Sequence, residues 1–270
     1  MVVQHNMQAA NTNRMLGQNV KAVSKSTEKL SSGYAVNRAA DDAAGLSISE
    51  KMRNQIRGIN QAVKNSEDGV SLIQTAEGNM NEIHSILQRM GELATKAAND
   101  VNASEDRTAI ADEMTQLKEE IDSISQKAAF NGTYLLRGTF TNKYLQTGAV
   151  EGEHMKISIS SMSASKLKIK DIAVSSHDKA GKAMTSIKNA IMTVSGARSK
   201  LGAIQNRLNY TINNLENYSE NLTSAESQIR DTDMATEMTN YTKNNILQQA
   251  AQSMLAQSNQ STQGVLSLLQ

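Results

Sequence analysis

Near both ends of the chain, apolar residues recur at steps of three and four, the spacing of a helix with a single apolar face. In the N-terminal stripe these positions are Leu16, Val20, Val23, Thr27, Leu30 and Tyr34. In the C-terminal stripe they are Met234, Met238, Tyr241, Leu247, Ala250, Met254, Leu255, Val265, Leu266 and Leu269. Asn, Gln, Ser and Thr fill most of the other positions, and all of these except Gln are poor helix formers. We therefore expect each terminal helix to need a partner helix.

The same spacing runs through much longer stretches between the two stripes. It predicts a helix over 46–98, with one stammer near Ile73 and Ala76, and further helices over 104–128 and 180–229. At 1.5 Å per residue the first of these would be about 80 Å long, more than a compact domain needs. The predicted fold is mainly α: an elongated antiparallel helical coiled-coil rod, with terminal helices that pair at one end.

Between the second and third long helices the pattern changes to period two. Residues 155–160 and 167–170 alternate apolar and polar side chains, and Phe130, Asn131 and Gly132 form a turn signal. These features predict a small β insert of one or two hairpins within 130–179.

Acidic residues stand at the start of two predicted helices. Asp41 and Asp42 precede the first long helix, and Ser104, Glu105 and Asp106 open the second. Both groups are typical of helix caps that complement the helix dipole. A paired-carboxylate metal or acid–base site at Asp41 and Asp42 is the alternative, and it is disfavoured because no His or third acid lies near them in sequence.

Composition narrows the function classes. The 270 residues include no Pro, Cys or Trp and only two Phe, which suits a narrow helical seam better than a globular core. The net charge is +1 without a basic block, so we expect neither nucleic-acid nor membrane binding. The first residues lack the features of a cleaved signal peptide.

No pattern in the chain indicates catalysis or a cofactor. The four His residues (His5, His84, His154 and His177) lie on separate predicted elements, and no phosphate loop or nucleophile elbow occurs. We expect that the protein is not an enzyme and that it has neither a metal site nor a cofactor.

Several long motifs resemble bacterial flagellin. Near the N-terminus they are KLSSGY at 29–34, NRAADDAAGLSIS at 37–49, NSEDGVSLIQTAEG at 65–78 and FNG at 130–132. Toward the C-terminus they are NL at 221–222, SAES at 224–227, IRDTDMA at 229–235 and MLAQSNQ at 254–260. Short motifs arise by chance, whereas motifs of this length and order rarely do.

The resemblance implies a filament subunit with a defined domain plan. It places the terminal helices at 1–40 and 231–270 in an inner tube called D0, and the rod helices at 41–129 and 180–230 in a surrounding layer called D1. The β insert at 130–179 belongs to D1. Only about 45 residues separate the rod halves, so the variable outer domains of the family are expected to be absent.

The resemblance also implies an assembly route and partners. Flagellins are exported unfolded through the flagellar type III apparatus with a chaperone, and they polymerise beneath a filament cap into a secreted, extracellular helical homopolymer. We expect the terminal segments to be disordered in the free subunit and to order on assembly, where burial of the stripes offsets the lost entropy.

A second surface follows from the resemblance alone. Residues 87–94 (LQRMGELA) are similar to the family's region that Toll-like receptor 5 binds, and this surface also packs against neighbouring protofilaments. The corresponding positions here are Gln88, Arg89, Glu92, Leu93 and, on the next helix, Glu113. Gly91 departs from the basic residue often found there, the tail lacks the usual Pro, and Gln270 replaces a common terminal Arg. Without the resemblance, these charges read as a solvated helix face.

The alternative to a filament subunit is a hook-associated junction protein of the same export system. Hook-associated junction proteins share the terminal stripes of flagellins but match the long middle motifs poorly. The dense match through 29–78 favours the filament subunit.

Overall fold

The computed structural model describes residues 6–268, with side chains described over that range except at 262, 263 and 265–268. The prediction of a mainly α fold is confirmed. Within the described residues, five helices and four short strands follow one another in this order: α1 (Met7–Ser32), α2 (Ala43–Ala97), α3 (Ser104–Lys127), β1 (Ala129–Phe130), β2 (Thr133–Tyr134), β3 (Lys143–Gln146), β4 (His154–Ile157), α4 (His177–Arg230) and α5 (Met234–Leu268).

The chain divides into two compact units. The terminal unit contains 1–56 and 220–270, and the central unit contains 57–219. The predicted segment boundaries at 40, 129, 179 and 230 are a separate division, and they stay a prediction.

The core of the central unit is the seam predicted for the first long helix. From Ile59 onward nearly every seam position of α2 is buried, and the residues around the stammer, Ile73, Ala76 and Met80, have no exposed surface. Side chains from α3 and α4 complete the same core, among them Met114, Ile121, Ile187, Val194, Leu201 and Leu208. Helix α2 continues through the stammer without a break.

The seam of α4 begins one residue away from its predicted position. The three–four spacing of the large apolar residues Met184, Ile187 and Ile191 predicts that Met184 faces the core. Met184 is instead 38 % exposed, whereas Ala180, Ala183 and Ile187 are buried. The steps from Ala180 to Ala183 and from Ala183 to Ile187 are three and four residues, so the buried positions still follow the helical period. The prediction at Met184 is wrong because small Ala side chains, which carry little hydrophobic signal, line this part of the seam.

Two antiparallel hairpins form the predicted β insert. Strands β1 and β2 are joined by Asn131 and Gly132, both with positive φ (45° and 76°), as a type I′ turn requires. Strands β3 and β4 pair Lys143 with Ile157 and Gln146 with His154. Met155 and Ile157 are buried while their neighbours are exposed, so the period-two pattern is confirmed there.

The second alternating run is not a strand. Around 167–170 the chain makes tight turns, with the Leu167 amide donating to the Ser163 carbonyl and the Ile169 amide donating to the Ala164 carbonyl (both 3.0 Å). Lys168 takes a left-handed φ of 57°. Leu167 and Ile169 are buried, so they contribute to the core from a turn. An apolar–polar alternation this short is compatible with a turn as well as with a strand.

The caps of the long helices are partly as predicted. Asp42 Oδ1 accepts hydrogen bonds from the amides of Ala44 (3.1 Å) and Gly45 (2.9 Å), so Asp42 caps α2. Ser104 does not cap α3: it is the first helical residue, and Ala103 holds the cap position. The Ala103 amide instead donates to Asp106 Oδ2 at 3.2 Å, so the acidic first turn supplies the capping group.

Two glycines of α2 allow a matched test of packing in the central unit. A Cβ added at Gly78 would meet nothing within 4 Å, whereas one added at Gly58 would lie 2.9 Å from the Cβ of Ala149. We expect Gly78→Ala to raise the free energy of unfolding by about 0.5–1 kcal/mol, because Ala restricts the unfolded chain. The free energy of unfolding of Gly58→Ala should be lower than that of Gly78→Ala by about 1 kcal/mol or more, since the loop at Ala149 must shift to make room for the new Cβ. Denaturant unfolding followed by circular dichroism measures both, and equal stabilisation would contradict the close packing at Gly58.

Candidate functional site

The two terminal helices pair with each other in antiparallel orientation. Asn6, at the start of α1, contacts Ser258 in the last third of α5. Tyr34, just after α1, pairs with Asp231, just before α5. The predicted pairing of the terminal helices is therefore present within the terminal unit.

A clasp of backbone hydrogen bonds joins the segments that follow α1 and precede α5. The Ala35 amide donates to the Arg230 carbonyl at 2.7 Å, and the Thr232 amide donates to the Gly33 carbonyl at 2.9 Å. Gly33 ends α1 with a φ of 77°, a conformation that favours glycine. We call residues 33–35 and 230–232 the clasp.

Arg230 ties the clasp to the first turns of α2. Its guanidinium lies 4.5 Å from the centre of the Tyr34 ring and 2.9 Å from Glu50 Oε1. It also reaches the hydroxyl of Ser49, which donates to Glu226 at 2.8 Å. Periodicity offers no signal for these contacts, although Tyr34 and Arg230 both lie within the motifs noted above.

Acidic side chains near the clasp form an ion pair and a helix cap. Lys25 Nζ lies 2.8 Å from Asp41, a contact that lowers the pKa of the Asp41 carboxyl and raises the pKa of Lys25. Asp233 caps α5, and hydrogen bonds from the hydroxyl and amide of Thr236 and the amide of Ala235 lower its pKa. Asp41 therefore pairs with a cation, in keeping with a structural role.

The apolar stripes of the paired helices are only partly covered. None of the described stripe residues is buried: Val20, Met238, Leu247 and Met254 are between 43 % and 57 % exposed, and Leu16, Val23, Leu30, Tyr241 and Leu255 are half-buried. The described buried side chains of α1 and α5 are Ser26 and Ser258. Leu266 and Leu269 lie outside the residues whose side chains are described. Several large apolar side chains that stay exposed on one pair of helices make this pair a candidate interaction site.

The second candidate surface lies on α2 and α3. Arg89 bridges the two helices, with its guanidinium 2.9 Å from Glu113 and 3.2 Å from Glu92. The hydrogen bonds to Glu113 and then Glu92 raise the pKa of Arg89. Gln88 is exposed beside them. Since every one of these groups faces solvent, the ion pairs fix orientation more than they stabilise the fold.

Leu93 takes a different position from the other residues of this set. It is only 4 % exposed and forms the floor of a cleft of about 480 Å³ between α2 and α3. Arg89, Glu92, Lys96, Asn102, Asp106, Ala109, Ile110 and Glu113 line the rest of this cleft. Gly91 is half-buried on the adjacent face, and a Cβ there would come within 3.8 Å of Ile187.

Neither a metal site nor a membrane span is found within the described residues. No group of three or more His, Asp or Glu side chains there is placed to bind a metal ion. Of the helices described, none combines the length and the apolar character needed to cross a membrane.

The fold and these surfaces define a helical structural protein whose terminal helices leave apolar side chains exposed. Two family models cover most of the chain: the bacterial flagellin N-terminal helical region matches residues 3–141, and the bacterial flagellin C-terminal helical region matches residues 184–269. The chain is 51 % identical to a flagellin of Halalkalibacterium halodurans over 271 residues, covering all of both chains. The chain therefore belongs to the bacterial flagellin family, whose members are structural subunits of the extracellular flagellar filament and not enzymes.

Solved structures share the fold. The crystal structure of Bacillus cereus flagellin matches with a TM-score of 0.51 and 30 % identity, over 56 % of this chain and 88 % of that one. A protein from Vibrio parahaemolyticus described as flagellar hook-associated matches with a TM-score of 0.60 over 71 % of this chain and all of that one. At 14 % identity the second match shows the fold alone.

Proposed function

We propose that the apolar stripes of α1 and α5 are the polymerisation surface of this filament subunit. The observation that carries the proposal is their exposure, because the two terminal helices pair and still leave Val20, Met238 and Met254 about half exposed. Neighbouring copies carry the same stripes and can cover them. Each Å² of apolar surface removed from water contributes about 25 cal/mol, so repeated contacts along a filament offset the cost of ordering the helices.

We propose that the subunit reaches the filament by the route that the family resemblance implies. The subunit leaves the cell unfolded through the flagellar type III apparatus, accompanied beforehand by an export chaperone, and adds at the filament tip beneath the cap. The chain contains no Cys, so it can refold outside the cell without forming disulfides. The inner tube would contain α1 and α5, and the surrounding layer would contain α2–α4.

A charge placed on the stripe tests the polymerisation surface. Val20→Lys should slow seeded filament growth at least tenfold, because the ammonium group would be buried between copies without a partner. Gln18→Lys, at an exposed position of the same helix, is the matched control and should grow nearly normally. Light scattering on purified filament seeds measures the rate. Equal growth of the two variants would remove the stripe from the interface.

The free subunit should lack the order of its terminal helices. Without neighbouring copies the stripes stay in water, so residues 10–30 and 245–265 are expected to exchange their amide hydrogens within seconds, while the buried seam of α2 is protected. Hydrogen exchange of the monomer, read by mass spectrometry, measures this difference. Strong protection in either terminal range would contradict ordering on assembly.

We infer that the surface of Gln88, Arg89, Glu92 and Glu113, with Leu93 as its floor, is recognised by Toll-like receptor 5. The geometry supports this inference because two carboxylates hold the Arg89 guanidinium in a fixed place above a cleft. A preorganised charged group loses little entropy on binding. The same exposed face is available for contacts between protofilaments.

Truncation of this surface tests receptor recognition. Arg89→Ala should raise the concentration of monomer needed for half-maximal receptor signalling at least tenfold, because it removes the fixed charge. Glu119→Ala, at an exposed position on α3, is the control and should signal like the unsubstituted chain. A cell reporter assay measures both. Unchanged signalling by Arg89→Ala would exclude this surface as the receptor site.

The junction-protein alternative is supported by fold similarity alone. Elongation of filament seeds by purified monomer favours the subunit, whereas binding to filament ends without elongation would favour the junction protein.

A further inference from the structure

Asn6 and Ser258 form a closed pair of hydrogen bonds between α1 and α5. The Asn6 amide nitrogen donates to the Ser258 carbonyl at 3.1 Å, and the Ser258 hydroxyl donates to Asn6 Oδ1 at 3.2 Å. The same Oδ1 accepts the Ala9 amide at 2.9 Å, so Asn6 also caps α1. Ser258 is only 6 % exposed and is the buried residue of α5 among those whose side chains are described.

The position of this pair matches the position of the clasp. Tyr34 lies 28 residues after Asn6, and Ser258 lies 27 residues after Asp231. The two arms that extend from the clasp are therefore of nearly equal length, about 40 Å of helix each. Clasp and polar pair can both close in a single register of the two helices.

Away from the clasp, the apolar stripes alone do not specify that register. The N-terminal stripe repeats every seven residues, and a shift of seven along α5 exchanges Met234 for Tyr241 and Leu247 for Met254, so a slipped pairing keeps part of its apolar contact. Such a slip would bring Ala251 or Val265 to the place of Ser258. Neither has a side-chain donor, so Asn6 Oδ1 would lose the Ser258 hydroxyl at a cost in stability, while the Asn6 amide nitrogen would still meet a main-chain carbonyl.

We propose that Asn6 and Ser258 are a register lock, which fixes how the terminal helices align and hence which composite apolar surface a subunit presents to its neighbours. The register lock rests on the proposed polymerisation function of the stripes, but Asn6 and Ser258 are not themselves stripe residues. Ser258 is buried and Asn6 is half-buried, and a polar pair at one position of a helical interface is a known physical means of selecting one alignment.

Distances between spin labels in filaments test the lock. Because the chain contains no Cys, single cysteines at the exposed positions Gln8 and Gln260 can carry nitroxide labels. Labelled subunits are diluted into unlabelled subunits during seeded growth and measured by pulsed electron paramagnetic resonance. The otherwise unsubstituted chain should give one narrow distance distribution. Ser258→Ala should at least double its width, although Ala is the better helix former.

Matched variants separate the lock from a general effect on the helix. Ser253→Ala makes the same exchange at an exposed position of α5, where the hydroxyl bonds only within its own helix, and should leave the distribution narrow. Ser258→Thr keeps the hydroxyl and should restore the narrow distribution. Asn6→Asp keeps the helix cap but loses the amide donor, and should broaden it.

The outcomes distinguish this proposal from the proposed function. A distribution as narrow in Ser258→Ala as in Ser253→Ala overturns the lock while filament growth continues. Failure of Ser258→Ala to enter filaments that accept Ser258→Thr supports a lock needed for entry. Failure of the unsubstituted chain to elongate seeds overturns the polymerisation function and the lock with it.

Discussion

The unequal distribution of hydrophobic burial between the two units is the constraint on which the rest of the structure depends. The central unit closes its core with its own side chains, since Ile73, Met80, Ile83, Leu87 and Met90 have no exposed surface. The terminal unit has helices of similar periodicity but keeps Met15 and Met254 about half exposed. One chain thus contains a unit whose core is closed by its own side chains and a unit whose apolar side chains stay about half exposed. That division is what a subunit needs if it must stay soluble before it assembles.

Polar contacts supply the specificity that the apolar seams lack. Helices with three–four spacing can pair in several alignments, and the clasp at one end and Asn6–Ser258 at the other select one. On α2 and α3, Arg89 pairs with Glu113 across the two helices and with Glu92 on its own helix. In both units, apolar residues supply the driving force while a few polar side chains determine geometry.

Predictions from sequence succeeded where the physics is local and periodic. The bounds of α2 and α4 fall within a few residues of the predicted ones, and the alternation of Met155 and Ile157 correctly indicated a strand. The failures at Met184, Ser104 and 167–170 occurred where small side chains or short runs fit two structures equally well. The clasp and the Asn6–Ser258 pair join residues far apart in sequence, so periodicity contains no information about them. The burial of Leu93 likewise depends on the packing of α3, which its own neighbours in sequence do not specify.

The clasp also has a consequence for the order of folding. Tyr34 and Asp231 are 197 residues apart, so closing this contact from an open chain would carry a large loop entropy and would be slow. Within the central unit, the Ser219 hydroxyl lies 3.0 Å from Asn60 Oδ1, which brings α2 and α4 together where that unit ends. Once the central unit has folded, the effective loop shrinks to the short segments on either side of it. Prior folding of the central unit would therefore shorten the loop that must close and accelerate the pairing of the terminal helices.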